Sequence, residues 1–477
     1  MPLILGTNSI KDTGFNVANS LRFNGSGYMT RTAGTPTNSK KHTFSAWVKL
    51  SVDDTNHDFP LSFYDNSGND QTNYYFRSAS DNTLYYSNTV GGNSVGYFAT
   101  NRKFTDSNSW LHMVIAEDTT LATANDRVKL YINGVQETSF SANLNPSQNQ
   151  DNSINKSGST IYLGQRGGSY GYFHGYMAEM VFIDGQQLNA DSFGEFDQDS
   201  NIWKPKDVSS LTFGNNGFYL DFENSGSLGA DVSGNGNNFT VYNLTSVDQS
   251  TDTCTNNFAT INPLYYSASS YTLTNGNLAV DGNSGNAWRS LYGTFGLTSG
   301  KWYWEIKIDG KESSDPNNFA IGIVSEDQVD QTSSNGKFFG TAQGYAYHGK
   351  DGKKLNNDTV TANGSSYGDS FTTGDIVGVF LDLDNHKLYF SKNGTVQASG
   401  DPTSGSTGTN AAFSITSGHT YLPAIANYYS AEHYSFNYGS PPFSISSGNS
   451  DPNGFGNFEY STQNYYSCNT KNLAEFG

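Results

Sequence analysis

The stretch "GDIVGVFLDLDNHKLYFSKNG" (Gly374–Gly394) brings Asp382, Asp384 and His386 close together in the chain. Three chemistries fit such a set. Two carboxyl groups could be the acid and nucleophile of glycoside hydrolysis, which in a retaining enzyme stand about 5–5.5 Å apart across a sugar cleft. With the imidazole they could hold a metal ion, or they could simply close a hairpin. Val377, Val379, Leu381 and Leu383 alternate with Gly378, Phe380, Asp382 and Asp384, as on a strand. Alternate residues of a strand lie about 7 Å apart on one face. Asp384-Asn385 then turns the chain back into "HKLYFSKNG". The carboxyls stand at a turn and not across a cleft. The stretch is read as a hairpin, with His386 a solvated turn residue.

The other sites of this kind are weaker. "DVSGNGNN" starts like a calcium loop, with Asp231, Ser233 and Asn235 before Gly236, but its twelfth position is Tyr242 where an EF-hand needs a bidentate Glu. It is read as a turn. The histidines lack zinc spacing, and no G-x-S-x-G, P-loop or dinucleotide fingerprint occurs. The expectation is a protein without catalytic residues, metal or cofactor. A structural calcium ion in an acidic loop such as Asp65–Asp70 stays open as an alternative.

The elements that carry these residues are strands. In "RVKLYINGVQ", Val128, Leu130 and Ile132 alternate with Lys129 and Tyr131, and Asn133-Gly134 supplies a type I′ turn. In "KWYWEIKID", Trp302, Trp304, Ile306 and Ile308 share a face. Such alternation, punctuated by Gly, Asn and Ser, predicts an all-β chain of two antiparallel β-sandwich (jelly-roll) domains in series. Extended segments are expected at both ends. The expected divisions are an arm over 1–15, a first sandwich over 16–242, a linker over 243–265, a second sandwich over 266–443 and an extension over 444–477. One short helix is expected, "NADSFGEF" (Asn189–Phe196), capped by Asn189 or Asp191.

At 477 residues the chain can bury two large cores, and 14% aromatic residues offset a low aliphatic content. A net charge of −18 with no basic block excludes nucleic-acid binding. No apolar run approaches the ~18 residues of a membrane span. The start "MPLILGTNSIKDTG" lacks a basic n-region, so synthesis without a secretory signal is expected. Cys254 and Cys468 are expected to be free thiols, with a bridge between them as the alternative.

Two resemblances follow from ordered motifs. "NSLRFNGSGYM", "FSAWVKL", "WLHMVIAED", "VKLYINGVQ", "IYLGQRGG" and "FHGYMAEMVFIDGQQL" succeed one another between Asn19 and Leu188. This series resembles the laminin-G-like, or concanavalin-A-like, jelly roll. The resemblance implies that Trp47, Trp110, Tyr131 and Phe182 point between facing sheets, that Gly175 lies where a closing strand crosses, and that Asp184-Gly185 makes its turn. "YLDFENSGSLGADVSGNGNNFT" (Tyr219–Thr240) resembles a stretch that usually precedes the first strand, and reads either as a permuted closing strand or as a remnant repeat. The same fold hosts glucanases with three carboxyls along one strand. The nearest match, "GEFDQDS" with Glu195, Asp197 and Asp199, lacks the last Glu. Further on, "KWYWEIKI", "FAIGIVS", "YAYHGKDGKK", "GDIVGVFLDLD" and "YLPAIANYYS" resemble a SPRY domain, a β-sandwich that binds proteins or peptides through its loops.

Sugars are recognised by aromatic faces beside amides and carboxylates, so Tyr64, Asp65, Asp70, Arg166 and Tyr170 are the ligand candidates of the first sandwich. Those of the second are Trp288, Tyr347, His348 and Tyr428, with Lys350 and Tyr429 beside them. The whole chain, with its arm and Gly/Asn/Tyr-rich style, resembles structural proteins of tailed bacteriophages. That implies a virion protein, a tail fibre or receptor-binding adhesin that docks on other virion proteins through the arm, binds a host-surface glycan or protein, and forms a homo-oligomer such as a trimer. A capsid decoration and a polysaccharide-degrading enzyme are the alternatives.

Overall fold

A computed structural model describes residues 3–5, 14–51, 58–65, 68–76, 82–167, 170–265, 271–283, 287–311, 318–332, 336–357 and 364–477. The chain divides into two compact units, Thr13–Thr255 and a C-terminal unit of Met1–Asp12 with Asn256–Gly477. Both are sandwiches of antiparallel sheets, as the alternation predicts.

In the N-terminal unit two eight-stranded sheets face each other. One runs Val135–Glu137, Val128–Ile132, Leu111–Asp118, Lys41–Leu50, His174–Asp184, Ser20–Asn24, Gln249–Ser250, with Phe218–Leu220 as its eighth strand beside His174–Asp184. The other runs Phe140–Leu144, Asn93–Lys103, Thr83–Val90, Gln71–Phe76, Asp58–Tyr64, Thr160–Leu163, Tyr28–Thr32, Thr240–Tyr242. Phe44, Ala46, Val48, Leu130, Ile132 and Phe182 fill the space between them. Asn133 and Gly134 take the positive φ values, 48° and 78°, that the hairpin turn requires. Gly175 is needed for closeness: a Cβ there would stand 2.2 Å from the Lys49 carbonyl oxygen.

Tyr219–Thr240 is a closing segment. Phe218–Leu220 pairs with His174–Asp184, and Thr240–Tyr242 pairs with Tyr28–Thr32. Asp231 folds its loop by accepting from the backbone N–H of Tyr219, Ser233 and Asn237, which is a turn's use of a carboxylate.

Several expectations are corrected. Trp47 and Tyr131 do not point between the sheets. Alternation gives the inter-sheet side to their neighbours, and they pack on the opposite face with Phe193, Trp203, Phe213 and Tyr219, with Trp110 beside them. The expected helix at Asn189–Phe196 is a single 3-10 turn, Ala190–Ser192, followed by the strand Gly194–Phe196 against Trp203–Pro205. Eight residues with one apolar pair bury too little to hold a helix. The expected linker is built into both units. Gln249–Ser250 adds a strand to Ser20–Asn24, while Phe258 and Ile261 are buried in the C-terminal unit.

The C-terminal unit packs a nine-stranded sheet on a six-stranded one. Trp302, Trp304, Ile306 and Ile308 share the core with Val377, Val379, Leu381 and Leu383. Residues 3–5, expected in a free arm, are tied in here: Ile4 bridges Phe295 and is buried in the core. Their apolar side chains favour burial over projection. Residues 6–13 of that arm lie outside the described residues. The extension over 444–477 covers the other face of Lys301–Gly310 and Ile376–Asp382. Phe458 and Tyr465 pack on Tyr303, Phe380 and Tyr389, and Tyr466 pairs in parallel with Trp302. The extension ends in the one α-helix among the described residues, Thr470–Phe476, capped by Asn469 accepting from the Asn472 N–H.

Candidate functional site

The opening carboxylates are used by the hairpin they close. Asp382 is fully buried, accepts from the Asn385 N–H at 2.9 Å and pairs with Lys301 at 3.3 Å. Asp384 accepts from the Gly300 N–H at 2.8 Å, and His386 is exposed at positive φ. In "GEFDQDS", Asp197 caps its own turn through the Ser200 N–H and binds Lys204.

Burial raises the pKa of three carboxyl groups, Glu305 beneath the C-terminal extension and, in the N-terminal unit, Glu117 and Glu179, a feature that elsewhere marks active sites. Burial pushes Glu117 up to about 7 against the hydrogen bonds of Tyr86 and Asn152, and Glu179 up to about 8 against that of Tyr219. Both are sealed among packed side chains, at 0% and 7% exposure. Two serine–histidine contacts also occur among the described residues: Ser45 Oγ to His112 Nε2 at 2.8 Å, and Ser325 Oγ to His419 Nδ1 at 3.2 Å, where the serine hydroxyl donates to the Asp327 carboxylate. Trp203 Nε1, which can only donate, binds His112 Nδ1 at 3.0 Å. The proton of this buried, neutral imidazole therefore sits on Nε2 and points at the serine, which removes the base that a nucleophilic serine needs. Cys254 and Cys468 are free thiols. Among the described residues no three His, Cys, Asp or Glu side chains are placed to share a metal ion.

The binding candidates sort more sharply. In the N-terminal unit, Asp70 is held by Lys156 and by the Gly91 N–H, and Asp65 accepts from the Asp70 N–H, so this acidic loop is knitted to itself. Its residues 66 and 67 lie outside the described residues. The Tyr64 ring lies against Gly68 of that loop. The short hairpin of Gln165–Arg166 and Tyr170–Tyr172 lies on the outer face of the strand Asp58–Tyr64. There the Tyr64 ring packs on Gly167, and Arg166 lies 5.9 Å above the Phe59 ring while donating to Gln71 at 3.0 Å. The side chain of Tyr170 lies outside the described residues.

In the C-terminal unit three of the four candidates converge. The Trp288 ring stands 5.9 Å from Tyr428, 6.3 Å from His348 and 5.2 Å from Phe339, with Lys337 6.0 Å above it. Tyr347 does not join them. In the strand Gly344–His348, Tyr345 and Tyr347 face the core with Phe371 and Phe390, and His348 takes the other side. One residue of register separates a core tyrosine from a site histidine. Phe339 was missed by sequence reasoning, although "KFFG" beside a strand start was a visible signal.

His348 has an unusual position. Its Nδ1 is 2.7 Å from the Asp351 carboxylate, which assigns the proton there. Its Nε2 is buried and has no hydrogen-bond partner among the described residues. Burial lowers its pKa, with Asp351 acting the other way. A neutral ring with a bare Nε2 acceptor, walled by Trp288, is suited to take an N–H or O–H donor from a ligand.

Comparison with known proteins gives two matches. Residues 23–191 match the family described as the Concanavalin A-like lectin/glucanases superfamily, and residues 301–441 match the SPRY domain. This chain carries a laminin-G-like domain followed by a SPRY domain. Over 95 residues it is 33% identical to a Ran-binding proteins 9/10 homolog of Drosophila melanogaster, which is 20% of this chain and 9% of that protein. The match thus spans less than a tenth of that relative. Among solved structures, the SPRY domain of human HERC1 is 19% identical, with 35% of this chain and 91% of that one covered and a TM-score of 0.27. Domains LG4-5 of the mouse laminin alpha1 chain are 11% identical over 89% of each chain, with a TM-score of 0.30. The Trp288–His348–Tyr428 cluster belongs to the unit that contains the SPRY domain.

Proposed function

We propose that this chain is a non-enzymatic binding protein of a tailed-bacteriophage particle, a tail fibre or receptor-binding adhesin that recognises a host-surface glycan or protein. The coarser part, ligand binding, is what laminin-G-like and SPRY domains suggest. The virion setting rests on the Gly/Asn/Tyr-rich composition of the sequence. The observation that carries the reading is the convergence of Trp288 and Tyr428 on His348, whose buried Nε2 has no partner among the described residues. Partly buried aromatic anchors, here Trp288 and Tyr428, beside one directional polar group suit a binding hot spot. In this reading the chain acts as a homo-oligomer on the particle, and the carboxylates of both units serve folding.

The test is binding of the purified chain to candidate host cells. Trp288→Ala is expected to weaken it about tenfold or more, with circular dichroism confirming an intact sandwich. Unchanged binding would remove this end of the SPRY-containing unit from the account.

A further inference from the structure

Residues 3–5 lie in the C-terminal unit as a bound peptide would. They run parallel to residues 294–296. The Ile4 N–H donates to the Thr294 carbonyl at 3.0 Å, and the Gly296 N–H donates to the Ile4 carbonyl at 3.1 Å. Ile4 enters the core that holds Phe295 and Leu297, while Leu3 packs on the neighbouring cluster of Tyr265, Tyr292 and Phe339. Leu3 and Leu5 flank Gly296. A Cβ on that glycine would stand 2.9 Å from Leu5 Cδ2 and 3.6 Å from Leu3 Cδ1, so its absence lets both leucines close on the slot.

The slot is fastened independently of its occupant. The Thr294 N–H donates to the Thr260 carbonyl and the Gly293 N–H to the Pro423 carbonyl, both at 2.9 Å. Leu297 and Tyr421 exchange two further bonds at 2.9 Å. The occupant is short. Of its three described residues Ile4 is buried, while Leu3 and Leu5 are half-buried. Both sides of the contact are uncharged, since residues 1–5 and 293–297 contain no Asp, Glu, Lys or Arg. Copies of a chain with net charge −18 repel one another, so they meet best through an uncharged contact.

We propose that this slot also takes residues 3–5 of a second copy, so that copies of the chain join by exchanging the Leu-Ile-Leu segment. Exchange of an identical element between copies keeps every contact at the slot, which makes it a low-cost route to assembly. The balance is then set by concentration, that of neighbouring copies against the effective concentration of the chain's own tethered segment. The recognition is strand addition in a short form. Backbone hydrogen bonds supply the attachment, and the places of Ile4 in the core and of the leucines about Gly296 supply the selectivity. The inference deepens the homo-oligomer of the reading above by naming the contact that joins the copies. It uses neither the Trp288 cluster nor a host surface.

Two full-length variants separate the halves of the contact. Ile4→Asp disables the segment and leaves the slot intact. Gly296→Val crowds the slot and leaves the segment intact. Mixed together, the two are expected to form a complex in sedimentation velocity that neither forms alone. A mixture that sediments as the sum of its parts, with circular dichroism showing both chains folded, overturns the exchange. A fluorescent peptide of residues 1–8, MPLILGTN, gives a reading that does not depend on Gly296→Val. The Ile4→Asp chain is expected to bind it saturably, and about tenfold or more weakly when the peptide itself carries Ile4→Asp. Absent binding, or binding indifferent to that change, overturns the inference. So does peptide binding without a complex between the chains, because the slot then does not take the segment from a second copy. Cell binding that falls with Trp288→Ala while the mixture stays unassociated would overturn the exchange and leave the binding reading standing. A complex between the chains, with cell binding indifferent to Trp288→Ala, would do the reverse.

Discussion

Removing residues 444–477 is expected to unfold the C-terminal unit. The match to the SPRY domain ends at residue 441, so the extension is an addition to that domain. It acts as the third layer of the unit. Tyr303 and Tyr389 are 0% exposed and Phe380 is 2% exposed because Phe458 and Tyr465 lie on them. Each large side chain returned to water loses about 1.5–3 kcal/mol. Glu305 raises the loss further. Its carboxylate, pushed up in pKa by burial, is held by the N–H groups of Glu459 and Tyr460 in the extension and by Asn437 and Tyr303. Without the extension this carboxylate loses two of four donors in a site built to exclude water. The sum exceeds about 5 kcal/mol, which is the scale of a whole domain's stability. The single change Phe458→Ala is expected to cost about 3–5 kcal/mol. Urea unfolding followed by tryptophan fluorescence reads both, since Trp302 and Trp304 sit in the affected core. A truncated chain with an unchanged midpoint would contradict the three-layer description.

Lys49→Met is expected to destabilise the N-terminal unit by about 3–5 kcal/mol, because it strands a buried charge. Lys49 and Asp252 meet at 2.7 Å with side chains only 1% exposed, and Trp110 Nε1 donates to the other carboxylate oxygen at 2.9 Å. The attraction within such a pair roughly offsets the desolvation of two ions, so removing both charges is much milder than removing one. Lys49→Met with Asp252→Leu is therefore expected to recover most of the loss. A double variant as unstable as Lys49→Met would show that packing around the pair, and not the stranded carboxylate, sets the effect.

These two results bear on what the sequence made legible. Alternation placed the sheets, and the order of motifs placed the two domains, because a strand's period of two is written in its own residues. Trp302 to Ile308 and Val377 to Leu383 face the core as read. The contacts of Asp252 with Lys49, and of Glu305 with Glu459 and Tyr460, were not legible. Each joins residues more than a hundred positions apart, and no local pattern records them. The same limit explains why 243–265 read as a linker and Trp47 as an inter-sheet residue. A polar segment can be a strand edge once a partner lies beside it, and a tryptophan can serve either face when both are covered. At the candidate site, Trp288, His348 and Tyr428 were legible as loop-end residues. Tyr347 was misassigned by one position, since the strand's phase at its end is fixed by the Tyr345 and Tyr347 packing in the core.

We propose that the chain binds a surface and does not cut it. The most direct measurement incubates the intact chain with candidate host cells and follows bound protein and released reducing sugar in the same tube. Saturable binding, lost when the surface polysaccharide is stripped beforehand and accompanied by no sugar release above the blank, is the predicted result. Sugar release that grows with time and with the amount of chain, and disappears when the chain is heat-denatured, would contradict it.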